Sequence, residues 1–160
     1  MIIWIASYPK SGNTWVRSMV SSLVYSENGI FDFNQLTKIS QFPNKEYFKE
    51  FTNNFGDINQ IKKYWITAQD RINLDNRIKF FKTHHINCKI GDNNFTNKDN
   101  TKATIYIVRD PRNLINSISN HYSKTIEESY KFLTTSRFIG GGQNLGGIKE
   151  NDLLTLLGTW

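Results

Sequence analysis

The first 25 residues constrain the fold more than any other part of the chain. Residues 1–7 form a short, nearly continuous apolar run, closed off by Tyr8-Pro9 and Ser11-Gly12. Such a run, bounded by turn residues, reads as a buried strand. From residue 14 the pattern changes: Trp15, Val16, Met19, Val20, Leu23 and Val24 recur at helical spacing, which predicts a helix over 14–25. The chain therefore opens as strand, tight loop, helix, with the loop at the carboxyl end of the strand.

The same alternation continues. Residues 46–55 and 58–74 read as amphipathic helices, the second carrying Ile58, Ile61, Trp65 and Ile72 near one face. Residues 78–82 read as a second strand, 87–102 as a polar loop and 103–108 as a third strand. Helices are then expected over 113–122 and 126–133, a mobile glycine-rich stretch over 140–147 and a further helix over 151–157. Strands alternating with helices predict an α/β fold with a largely parallel sheet. A chain of 160 residues fits one domain spanning 1–160.

Composition sets the outer limits. Hydrophobic residues make up 38% of the chain, enough for a packed core. A net charge of +6 suits an anionic ligand, a nucleic acid or an acidic membrane surface without choosing among them. Cys88 is the only cysteine, which rules out an internal disulfide and a multi-cysteine zinc site. The apolar N-terminal stretch is too short for a membrane span and lacks a basic leader, so a cytoplasmic setting is expected. In that setting the sequon at Asn94-Phe95-Thr96 reads as chance.

Three segments carry candidate chemistry. In the loop after the first strand, a helix N-terminus offers unpaired N–H groups and Gly12 permits close backbone approach. Lys10 adds a charge, and Ser11 and Thr14 add hydroxyls. This fits a phosphate site, although no GxxxxGK[ST] pattern is present, and an ordinary turn capped by Asn13 or Thr14 fits equally. Arg109, leaving the third strand, and Ser117, eight residues on, can address one phosphate. Arg-Asp-Pro also reads as a helix-initiating turn with a local ion pair. At the end of the second strand, Lys82-Thr83-His84-His85 places a histidine where open α/β sheets bind ligands. With a reference pKa of about 6.5, such a ring can accept a proton near neutrality. His121 reads as structural, and no histidine has partners at metal-ligand spacing.

Taken together, these segments resemble the sulfotransferases that use 3′-phosphoadenosine 5′-phosphosulfate (PAPS). YPKSGNTW at 8–15 is similar to the family's 5′-phosphosulfate loop, usually YPKSGTTW, with Asn13 in place of threonine. IYIVRDPRNLINSISNHY at 105–122 resembles its 3′-phosphate motif, Lys82-Thr83-His84 its KTH stretch, and Gly158-Thr159-Trp160 its GSW stretch. The resemblance implies a P-loop-like three-layer sandwich with a mainly parallel central sheet. It implies that Lys10 contacts the oxygen bridging phosphate and sulfate, that Ser11, Gly12, Asn13 and Thr14 bind the 5′-phosphate, and that Trp15 stacks on adenine. Arg109 and Ser117 would bind the 3′-phosphate. His84 would be the catalytic base, with His85 an adjacent competitor, and Lys82 would assist Lys10.

The implied reaction moves a sulfuryl group from PAPS to a hydroxyl or amine, with no metal. The acceptor would be a small molecule or carbohydrate, and no nucleic acid is expected as partner. The aromatic residues Tyr47, Phe48, Phe51, Phe55, Tyr64 and Trp65 would serve either as its pocket or as core. No RKG-type segment occurs, so the chain reads as the N-terminal part of such a domain, apparently incomplete at its C-terminal end. The alternatives are a truncated, non-catalytic domain that binds PAP, PAPS or a partner, then a P-loop-type nucleotide kinase, then a nucleic-acid-binding domain.

Overall fold

The computed structural model describes residues 1–140 and 153–160. Its centre is a three-stranded parallel sheet of β1 (Ile2–Ser7), β2 (Lys79–Thr83) and β5 (Thr101–Ile107), in the order β2-β1-β5. The opening apolar run is thus the middle strand. Trp4 stands opposite Phe81 on one side and Thr104 on the other, and Ala6 lies between Thr83 and Tyr106. Side chains alternate across a strand, so Trp4, Ala6, Phe81, Thr83, Thr104 and Tyr106 share one face of the sheet.

That face carries the larger core. Trp4 and Phe81 pack with Phe42, Phe48, Trp65 and Phe95, all nearly inaccessible to water. Rings meet at tilted and edge-on angles, with Trp4 5.6 Å from Phe42 and 5.8 Å from Phe95. A second core joins Tyr8, Leu114, Ile118, Phe132, Leu133, Ile139 and Leu157. The Tyr8 hydroxyl donates to the Phe132 carbonyl at 2.7 Å, so the residue following β1 is pinned to a helix far along the chain.

Five α-helices lie among the described residues. α1 (Asn13–Tyr25) follows the first loop, and α2 (Ile58–Ile61) continues through a 3-10 turn into α3 (Trp65–Asn73). α4 (Pro111–Tyr122) begins with proline at its first position and is capped by Asp110, whose side chain accepts from the Arg112 N–H at 2.9 Å. α5 (Ile126–Thr134) begins with a reciprocal capping box between Thr125 and Glu128.

Three expectations need correction. Residues 46–55 are not a helix. A 3-10 turn at Lys45–Tyr47, capped by Asn44, gives way to irregular turns. Phe48 is fully buried there with Tyr47, Phe51 and Phe55 packed against the same core, and Asn53, Asn54 and Gly56 are poor helix formers. Residues 87–102 are not a plain loop: β3 (Lys89–Ile90) and β4 (Asn93–Asn94) form a small hairpin that delivers Phe95 into the core. The described part of 151–157 is extended. β7 (Thr155–Leu157) pairs antiparallel with β6 (Arg137–Ile139), and Leu153, Thr155 and Leu157 are buried on alternate positions. A short apolar run fits either period, and pairing with β6 selects the period of two. The glycine-rich 140–147 lies, beyond Gly140, outside the described residues. No helix among those residues is long and apolar enough to cross a membrane.

Candidate functional site

α1 starts without a side-chain cap. Its cap position is Gly12, not Asn13 or Thr14, and Gly12 has φ +105°. A left-handed residue there is natural for glycine, and nothing lies within 4 Å of where a Cβ would stand. The first N–H groups of a helix have no intrahelical acceptor, so the uncapped end of α1 presents donors and positive partial charge.

The side chains of Asn13 and Ser11 are both turned inward. Asn13 is buried, and its Nδ2 donates to the Ile5 carbonyl and to Ser7 Oγ, both at 3.1 Å. Its side chain therefore braces the loop against β1. Ser11 is also buried, its N–H donates to the Tyr8 carbonyl at 3.2 Å, and its Oγ has no partner. Trp15 is 74% exposed, so it is no part of the core.

The loop after β5 comes alongside. Asp110 caps α4 and holds Arg112 through two guanidinium nitrogens, and this pairing keeps the Asp110 carboxyl well below its usual range, at about 2. The helix-initiating turn with its local ion pair is thus present, and because that pair occupies Arg112, Arg109 turns elsewhere. Arg109 Nη1 donates to the Lys10 carbonyl at 3.0 Å. Lys10 itself has φ +69°.

His84 follows β2 and meets the end of β1. Its Nδ1 lies 2.7 Å from the Ser7 carbonyl, which can only accept, so Nδ1 carries the proton and Nε2 the lone pair. Burial pushes its pKa down to about 3; the nearby Lys82 charge lowers it further, as does Arg17, while the Ser7 hydrogen bond opposes them. The free site thus keeps His84 neutral. His85 points into the core, with its ring stacked 4.2 Å from Phe95 and its Nδ1 2.7 Å from the Ile86 carbonyl.

A cavity of about 450 Å³ gathers these groups. Lys10, Gly12, Asn13, Thr14, Trp15, Lys82, His84, Arg109 and Ser117 all line it, whereas Ser11 and the competing base His85 do not. Gln41, His121 and Tyr122 line it as well. Gln41 is brought there by a parallel backbone bridge to Lys82, a long-range pairing with no local sequence signal. His121 stands one helical turn beyond Ser117 on α4, a spacing readable only once the face of α4 is known. Chemically, the cavity offers cationic groups, an open helix end and the neutral imidazole of His84, a set suited to a multiply charged anion beside a proton acceptor. No cluster of three or more potential metal-ligating side chains occurs among the described residues.

The cavity is thus built on a strand–loop–helix unit with a second, arginine-bearing loop beside it, in a mixed α/β domain with a parallel three-stranded sheet. The sulfotransferase domain family model matches residues 2–145. The chain belongs to that family. No curated protein matches it.

Proposed function

We propose that this chain transfers a sulfuryl group from PAPS to a hydroxyl or amine of a small-molecule or carbohydrate acceptor, using one domain built as a P-loop-like three-layer sandwich. The observation that carries this reading is the convergence of Lys10, the uncapped Gly12 end of α1, Arg109, Ser117 and His84 on one cavity. The orphan N–H donors and the three cations Lys10, Lys82 and Arg109 fit the several anionic groups of such a nucleotide. PAPS, when bound, supplies the sulfuryl group and a stable nucleotide leaving group.

In this reading the backbone N–H groups of Gly12, Asn13 and Thr14 hold the 5′-phosphate, with the Thr14 hydroxyl beside them. Ser11 and the Asn13 side chain shape the loop from behind. Lys10, assisted by Lys82, offsets charge that grows on the departing oxygen. Arg109 and Ser117 hold the 3′-phosphate and so fix the register of the nucleotide. Trp15, exposed at the cavity, offers a face for adenine. His84 receives the acceptor's proton at Nε2, since Nδ1 is committed to Ser7.

Calorimetric titration with 3′-phosphoadenosine 5′-phosphate (PAP), with AMP and ATP as controls, tests the reading. Binding should require the 3′-phosphate and weaken at least ~10-fold in Arg109→Ala, the scale of a lost charge-assisted hydrogen bond. Equal binding of AMP and PAP would refute it.

A further inference from the structure

Gln41 is held at the cavity by the backbone on both sides of it. The Lys82 N–H donates to the Ser40 carbonyl and the Phe42 N–H donates to the Lys82 carbonyl, each at 2.9 Å. Gln41 thus pairs with Lys82 as a short extension of the sheet beyond β2. Its flanks are anchored: Ile39 and Phe42 are fully buried, and the Ile39 carbonyl accepts from Arg17 at 2.9 Å. Gln41 itself is only partly buried and lines the cavity.

Partners across a parallel ladder point to the same face of the sheet, so Gln41 stands beside Lys82, with His84 two residues further along. Its carboxamide has no hydrogen-bond partner among the described residues. The sheet order then sets Gln41 apart from the arginine-bearing loop. Gln41 lies outside β2, whereas Arg109 and Ser117 follow β5. Three strand spacings of ~4.8 Å separate the two edges. A phosphate held by Arg109 and Ser117 therefore leaves Gln41 to the opposite end of a bound nucleotide, the end beside Lys82 and His84.

We propose that Gln41 recognises the sulfuryl group itself: its Nε2 donates to an oxygen of the 5′-sulfuryl end of PAPS and touches neither phosphate. The inference rests on the nucleotide reading above. A sulfuryl group in this linkage carries one negative charge spread over three oxygens, all of them acceptors. A neutral amide can bind such an oxygen without adding a point charge, which leaves Lys10 and Lys82 to the bridging oxygen, where charge grows. Gln41 is then a specificity-determining residue, separating the nucleotide that carries a sulfuryl group from the one that has lost it.

The test is calorimetry with PAPS and with PAP, in the absence of any acceptor, on the parent chain and on Gln41→Met and Gln41→Ala. Gln41→Met keeps the length and volume of the side chain and removes the donor. The parent should bind both nucleotides. Both variants should weaken PAPS about tenfold, the scale of a lost hydrogen bond to a charged group, and leave PAP within about twofold. Melting temperatures should stay at the parent's value, because the side chain is partly exposed and makes no internal hydrogen bond. Undiminished PAPS affinity, or equal loss of PAPS and PAP, would overturn the inference and leave the nucleotide reading in place. Binding of neither nucleotide by the folded parent would remove that reading and this inference with it. If Gln41→Met does not fold, Gln41→Ala still decides.

Discussion

Arg109 Nη1 donates to the Lys10 carbonyl at 3.0 Å, joining the loops that follow two neighbouring strands. One guanidinium thereby supports a lysine in the left-handed region and still has donors left for a ligand. Arg109→Lys keeps the charge and loses the fork, and one ammonium cannot serve a carbonyl and a phosphate in the same way. PAP affinity should fall about 10-fold in this variant with thermal stability nearly unchanged, because Arg109 is exposed. Calorimetry beside a melting curve checks both; unchanged affinity would show that Arg109 serves only the loop.

The His84 pKa should move with ligand. In the free site it sits near 3, lowered by burial and then by the charge of Lys82. Phosphate groups bound beside that lysine favour the protonated ring and raise the value. Binding then takes up a proton, so affinity should strengthen as pH falls through the bound-state pKa. Imidazole NMR titration with and without PAP measures this. No upward movement would place the phosphates away from His84.

Asn13 and Trp15 are neighbours in one motif yet should fail in opposite ways. Asn13→Ala removes two buried hydrogen bonds and should destabilise the fold by roughly 2 kcal/mol while leaving PAP affinity within about threefold. Trp15→Ala should leave stability unchanged and weaken PAP by about 10-fold through lost stacking on adenine. Urea unfolding and calorimetry on the pair separate brace from contact, and the reverse pattern would reject this assignment.

Gly12→Ala meets no neighbouring atom, so its cost is conformational. At φ +105° an alanine should lose about 1–2 kcal/mol of stability, or shift the start of α1 and lose the anion site with it. A fully stable variant with parental PAP binding would show that the left-handed cap is dispensable.

Acid should destabilise the chain partly through His85. Its folded pKa is lowered to about 4 by burial, below the ordinary 6.5, so the unfolded chain binds the proton first. Stability is therefore lost as pH falls from 6.5 towards 4 and is fully present above that window. Melting temperatures of His85→Phe should fall less steeply across it than those of the parent. Identical slopes would assign the acid loss to other groups.

The three central strands were legible because each is a compact apolar run ended by a turn or by Arg-Asp-Pro. The helices at 111–122 and 126–134 were legible because Asp110-Pro111 and Thr125 with Glu128 are local stop-and-start signals. Residues 46–55 misled because aromatics that pack on the core from irregular turns, Phe48, Phe51 and Phe55, fall near helical spacing. Residues 151–157 misled because only pairing with β6 distinguishes a strand there. At the site, the motif marked a loop that lines the cavity but not the orientation of its side chains. Whether Asn13 faces ligand or strand depends on the Ile5 carbonyl, and the place of Gln41 depends on its bridge to Lys82.

Because β1 is the middle strand, both of its partners lie far downstream, from residue 79 and from residue 101. During synthesis at ~5–20 residues per second, residue 107 follows residue 7 by roughly 5–20 s. For that interval the apolar segment Ile2–Ser7 lacks at least one of its two ladders, and until residue 83 is made it lacks both. Of the three strands of the central sheet, the earliest made is thus fully paired only when the latest arrives. On the ribosome, chaperone occupancy of the nascent chain should decline only once Val108 has cleared the exit.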